Sequence, residues 1–298
     1  MTHKIYIGFS IDMDGADENN SEFIEGMNNL FIFFTKNKLL SGVNWLINEA
    51  LFKTTKYYPD FVKKIYNYVK HNNSLIGLHT HFNIPKFNCP ENLTLPEIKD
   101  VTKGGCFGMS SNRDDWELDG LITPKKHIEY FIEDNFNEKY NISYFKSGDH
   151  LRTDSMLSAL IDNKYTIDCS FGYERKRVIN YNGKDIIPYD DTNIKFMNGP
   201  FIIKKNNGQI LEIPEVGSSI RKFEKYIKII NKNKNIYIIF QLHPWQVINS
   251  LPQNKDLRIT IMDSIKIIKK YYTDKEIVYA NLDIMGNNIM QCNDYFFI

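Results

Sequence analysis

With 298 residues, 42% of them hydrophobic, the chain can bury one large core or two modest ones. A net charge of +1, with no block of Lys or Arg, argues against a nucleic-acid surface. No run of about 18 apolar residues is present, so no membrane-spanning helix is expected, and the first residues lack the order of a secretory signal. Cys89, Cys106, Cys169 and Cys292 are scattered without a C-x-x-C pair. They are expected to be reduced thiols of a cytoplasmic protein, not a disulfide frame.

In chain order, Ile5–Phe9 is an apolar, β-prone run that ends in Ser10-Ile11-Asp12-Met13-Asp14-Gly15. Leu30-Phe31-Ile32-Phe33-Phe34 is ambiguous between strand and buried helix, and a strand is expected. Pro59-Asp60 opens a helix with Phe61, Ile65, Tyr66 and Val69 on its apolar face, stopped by Asn72-Asn73. A second strand, Leu75-Ile76-Gly77-Leu78, runs into His79-Thr80-His81. Thr153-Asp154 caps a short helix through Met156, Leu157 and Leu160, before a strand over Tyr165–Cys169. Phe223, Ile227 and Ile230 share a helical face that leads to Ile238-Ile239-Phe240-Gln241-Leu242-His243. Leu257, Ile261, Ile265 and Ile268 form a last apolar stripe before Ile277–Ala280.

Such alternation predicts an α/β fold built as a single (β/α) barrel, an irregular, TIM-like one of seven or eight strands. One domain over 1–298 is expected, with insertions near 84–125 and 172–210. Tyr181-Asn182-Gly183-Lys184 and Asn206-Asn207-Gly208 suit hairpin turns within the second insertion.

Carboxylates and imidazoles at the ends of neighbouring buried strands are what a divalent metal of the zinc type requires. If the histidine segment stays extended, His79 and His81 point to one face and both reach one metal. If a turn begins at Thr80, the pair becomes His79 and Asn83, and Asn is a poor zinc ligand. The first arrangement is preferred. Plainer roles exist for the same residues: Asp12 and Asp14 as turn residues before Gly15, and His243 as a core histidine. Trp45 and Trp116 are most simply packing residues.

Four segments, in order, resemble the motifs of the polysaccharide deacetylases, the NodB-homology group of carbohydrate esterase family four. They are Ser10–Gly15, Ile76–Phe82, Tyr144-Phe145-Lys146-Ser147-Gly148-Asp149-His150, and Leu242-His243-Pro244-Trp245. Glu212-Ile213-Pro214 resembles the strand between the last two. The resemblance implies Asp12 as catalytic base, Asp14, His79 and His81 as ligands of a divalent metal, zinc first, and His243 as the acid. Lys146 stands where the family usually has Arg, which loses a bidentate fork but keeps the charge. Arg152 and His150 are candidates to compensate, with Asp149 beside them, and Trp245 and Tyr144 are candidates to stack on a sugar.

The function expected from the resemblance is metal-dependent removal of an acetyl group from an N-acetylated sugar or glycan intermediate in the cytoplasm. Two alternatives remain at this point: hydrolysis of a non-sugar cyclic amide, and a non-catalytic glycan-binding or scaffold protein on the same fold.

Overall fold

A computed structural model describes residues 3–13, 21–48, 58–80, 121–148, 154–173, 176–181, 184–190, 199–216, 220–229 and 234–297. Twelve strands and seven helices lie among them. The strands are β1 (Lys4–Met13), β2 (Val43–Ile47), β3 (Leu75–Thr80), β4 (Tyr144–Ser147), β5 (Ile167–Asp168), β6 (Lys176–Tyr181), β7 (Lys184–Asp190), β8 (Phe201–Lys205), β9 (Gly208–Glu212), β10 (Ile236–Leu242), β11 (Glu276–Tyr279) and β12 (Phe296–Phe297). The helices are α1 (Ser21–Lys36), α2 (Tyr58–Asn72), α3 (Thr123–Phe136), α4 (Asp154–Asp162), α5 (Ile220–Ile229), α6 (Leu257–Tyr271) and α7 (Leu282–Cys292).

The main sheet has ten strands and runs β10-β1-β2-β3-β4-β5-β9-β8-β12, with β11 added beside β1. From β10 to β9 every neighbouring pair is parallel, and helices return the chain between most of them. The sheet curls until Glu215, just past β9, bridges to Ile239 of β10, where the Val216 N–H donates to the Ile239 carbonyl at 3.0 Å. This is the expected (β/α) barrel. β1 divides one of its edges: Lys4–Ile7 pairs with β11, and Phe9–Met13 pairs with β2.

Alternation along each strand separates two cores. Ile5, Ile7, Phe9, Ile11 and Met13 of β1 point outward into the helix layer, with Trp45, Leu78, Phe145, Ile238 and Phe240. Tyr6, Tyr144, Ile167, Leu211, Tyr237 and Ile239 point inward and are met from below by Leu282, Met285 and Ile289 of α7. Tyr6 and Tyr237 stack there with ring centroids 5.1 Å apart. Gly8 makes room for that helix, since a Cβ on it would stand 2.9 Å from the Met285 Cε and 3.0 Å from the Ala280 carbonyl.

One expected element is corrected. Leu30–Phe34 lies inside α1, not in a strand. Phe23, Met27, Leu30, Phe31 and Phe34 recur at helical spacing and are all buried, whereas Ile32 is 63% exposed. The aromatic run looked continuous because Phe33, on the edge of the buried stripe, fills the gap. Both expected hairpins are present: Tyr181 pairs with Lys184, and Lys205 with Gly208, whose φ of 145° needs glycine. Most of the first expected insertion, its residues 84–120, lies outside the described residues.

Candidate active site

The site stands at the C-terminal ends of the barrel strands, where successive inward positions turn from apolar to charged. On β1 the inward series is Tyr6, Gly8, Ser10 and Asp12; on β10 and just beyond it is Tyr237, Ile239, Gln241 and His243. β4 offers Tyr144 and then Lys146, and β3 ends its inward series at His79. Register fixes these neighbours: Ser10 pairs with Gln241, Ile11 with Leu242, and His79 with Lys146.

Asp12 is 1% exposed and lies at the centre of the group. Its Oδ2 accepts from Lys146 Nζ at 2.6 Å and from Gln241 Nε2 at 2.8 Å, with His243 Nε2 at 3.5 Å. Its Oδ1 accepts from the Ser10 hydroxyl at 3.3 Å. Lys146 is shared with a second carboxylate: its Nζ lies 2.9 Å from Oε1 and 2.8 Å from Oε2 of Glu215, which has no exposed surface. Burial is the largest single influence on Lys146 and pulls its ammonium down. Attraction and hydrogen bonds from Asp12 and Glu215 together outweigh burial, so the group is held above its ordinary value and stays charged. That ion pair in turn favours the carboxylate form of Asp12, which a proton acceptor needs.

His79 is almost wholly buried, and its Nδ1 lies 3.1 Å from the Lys146 carbonyl. A carbonyl only accepts, so Nδ1 carries the proton and Nε2 keeps the lone pair. This is the tautomer required of a metal-ligating histidine, with a backbone carbonyl as its outer partner. Asp14 and His81 lie outside the described residues, as do Asp149, His150 and Arg152. Among the described residues no three His, Cys, Asp or Glu side chains form a group that could hold a metal. Of the expected ligands, His79 alone is described, and it fits the role.

The remaining candidates separate. Trp245 is 46% exposed at the rim and stacks on the His243 ring with centroids 5.1 Å apart. Tyr144 is not at the site. It is the first residue of β4, two positions below Lys146, and its hydroxyl donates to Asp283 of α7 at 2.8 Å at the other end of the barrel. A sugar-stacking role for it is therefore withdrawn. Trp45 is a fully buried packing residue against Phe31 and Phe34, as expected. Cys169 is buried near the site, but burial first, then Glu212, Glu215 and Asp168, push its thiol well above the ordinary range, so it is no nucleophile.

Glu215 and Gln241 belong to the site although sequence motifs did not point to them. Gln241 was within reach of simple alternation, being two residues before His243 on a strand. Glu215 follows Leu211 and Ile213 on the inward parity, but Pro214 ends the regular ladder there, so the alternation could not be carried forward.

No protein-family profile matches the chain, and no curated protein matches it in sequence. Solved structures do match in fold. A protein assigned as a polysaccharide deacetylase from Mycobacterium smegmatis has a TM-score of 0.56 at 8% identity, covering 98% of this chain and 92% of its own. One assigned likewise from Pseudomonas aeruginosa PAO1 has a TM-score of 0.50 at 8% identity, covering 97% and 92%. The Puue allantoinase has a TM-score of 0.52 at 9% identity, covering 99% and 93%. The chain thus has the fold of polysaccharide deacetylases, in agreement with the resemblance of its motifs.

Proposed function

We propose that the chain is a metal-dependent hydrolase that removes the acetyl group from an N-acetylated sugar or glycan intermediate. The observation that carries this is the convergence of Asp12, Lys146 and His243 from three strand ends, with His79 beside them in the ligand tautomer. Asp14, His79 and His81 would hold the ion, zinc in the first place. A divalent metal there supplies Lewis acidity, polarising the acyl oxygen and acidifying water by several pH units.

The chain's own groups do the rest. Asp12, kept as a carboxylate by Lys146 and Gln241, accepts the proton of the attacking water. His243 gives a proton to the departing nitrogen as the C–N bond breaks, so the products are acetate and a free amine. Proton transfer of this kind typically contributes roughly 10²–10⁴-fold. Trp245, exposed beside His243, offers an aromatic face to a sugar ring. The proposed setting is the cytoplasm, where the free thiols of Cys169 and Cys292 are stable.

The test is acetate release from a panel of N-acetylated sugars by zinc-loaded protein. Release that a chelator abolishes is expected, with Asp12→Asn inactive yet still holding about one metal ion per chain, the count for a three-ligand catalytic site. Metal-loaded protein that releases no acetate would overturn the proposal, and so would equal metal loss in Asp12→Asn and Asp14→Asn. A non-sugar cyclic amide in the same panel covers the second reading, which the allantoinase likeness in fold favours.

A further inference from the structure

We infer that Gln246 is the positioning residue of the acid: it sets the tautomer of His243 and turns Nε2 toward Asp12. The inference rests on the proposed role of His243 as proton donor. Gln246 Oε1 lies 2.9 Å from the His243 backbone N and 3.1 Å from its Nδ1. A backbone N–H only donates, so the Gln246 atom facing it is the oxygen and not the amide nitrogen. That oxygen then requires a proton on Nδ1. Nε2, 3.5 Å from Asp12 Oδ2, becomes the nitrogen that gains and loses the working proton.

Gln246 is well placed to do this because its segment is clamped. Pro244–Val247 forms a single 3-10 turn directly after β10; the Gln246 backbone N–H donates to the His243 carbonyl at 3.0 Å, and the Gln246 side chain closes the turn back onto His243. Helix α1 presses on the turn at Gly26, where a Cβ would stand 2.0 Å from the Pro244 oxygen. Asn29 of the same helix donates to the Val247 carbonyl at 2.8 Å. Trp245 meanwhile covers the imidazole ring. Ring plane, tautomer and backbone are thus all fixed by four consecutive residues and one helix. Because Gln246 is neutral, it orients the ring without adding a further carboxylate to the site that already holds Asp12 and Glu215.

Long-range ¹H–¹⁵N spectra of the full, zinc-loaded chain, labelled at histidine, test this directly. His243 is identified as the signal lost in His243→Gln. Where the ring is neutral, wild-type His243 should show a protonated Nδ1. Gln246→Met should move the ring toward the Nε2–H form and lower kcat by roughly 10–100-fold, as loss of an outer-shell partner does, with KM within about twofold. Gln246→Glu, which keeps the acceptor oxygen, should restore the Nδ1–H signature and most of kcat. A wild-type ring protonated on Nε2 when neutral overturns the inference, as does Gln246→Met with an unchanged tautomer. The spectra need no substrate. A correct tautomer with no acetate release would sink the deacetylase proposal alone, and the reverse result would sink the positioning role alone.

Discussion

The two ends of the barrel are built from the same strands and behave as opposites. At the N-terminal end, inward residues are Tyr6, Tyr144, Ile167, Leu211 and Tyr237, closed over by Leu282, Met285 and Ile289 of α7. Two to six residues further along those strands the interior holds Asp12, Lys146, Gln241 and His243, joined by Glu215. The closed end gains from removing apolar surface from water, about 25 cal/mol per Å². The other end holds ions whose desolvation cancels much of their attraction, which is weak evidence for stability and good evidence for a site. Stability and chemistry are divided along the barrel axis.

Removing Lys146 should disturb the comparison most, because it strikes both properties at once. Lys146→Met leaves Asp12 and Glu215 buried without their cation, and should lower stability by about 3–5 kcal/mol, read from the urea midpoint, while abolishing turnover. The Lys146 ammonium is held above its ordinary 10.5. Its contribution is therefore intact below that pH and lost only as pH rises through the raised value. The gap between wild type and variant should be constant from pH 7 to about 10 and close above it. A gap that closes already near neutral pH would show that Lys146 is not held as a cation.

A cavity at the closed end should sharpen the contrast by touching stability alone. Met285, with no exposed surface, contacts the Gly8 position and the inward core. Met285→Ala should destabilise by about 2–5 kcal/mol and leave kcat on the best substrate within about twofold. A large fall in kcat at full folding would mean that the two ends are coupled. The smallest effect is expected at Tyr144, whose hydroxyl donates to Asp283. Tyr144→Phe should cost about 0.5–1.5 kcal/mol with no change in kcat or KM for a sugar. A selective rise in KM would return this tyrosine to the site.

How far the sequence exposes this arrangement depends on which interactions are local. β1, β3, β10 and the helices between them follow from periodicity, and the ends of β1 and β10 follow with them, so Asp12 and His243 could be assigned to one face. Helix α1 could not, because five consecutive apolar residues satisfy strand and helix alike. The spacing of Phe23 and Met27 before them is what continues the helical stripe. Tyr144 was misplaced for a different reason. It shares a strand and a parity with Lys146, and the position of the barrel floor, set by α7 more than a hundred residues later, decides that one is plug and the other site. Glu215 and Gln246 act through contacts made only in three dimensions or through a turn closed by its own side chain.

The divided edge of β1 carries a consequence for how the protein comes into being. The strand that carries Asp12 takes its neighbours from three distant places: Val43–Ile47, Ile236–Leu242 and Glu276–Tyr279. A ribosome adding roughly 5–20 residues per second needs on the order of tens of seconds to pass from Lys4 to Glu276. During that interval β1 has β2 on half of one edge and nothing on the other, with Ile5, Ile7, Phe9 and Ile11 awaiting partners not yet made. Pairings of such long sequence separation form late and slowly. The strand that carries Asp12 is thus made before every strand it pairs with and is among the last to be enclosed, and its unpaired apolar edge is open to wrong pairing in the meantime.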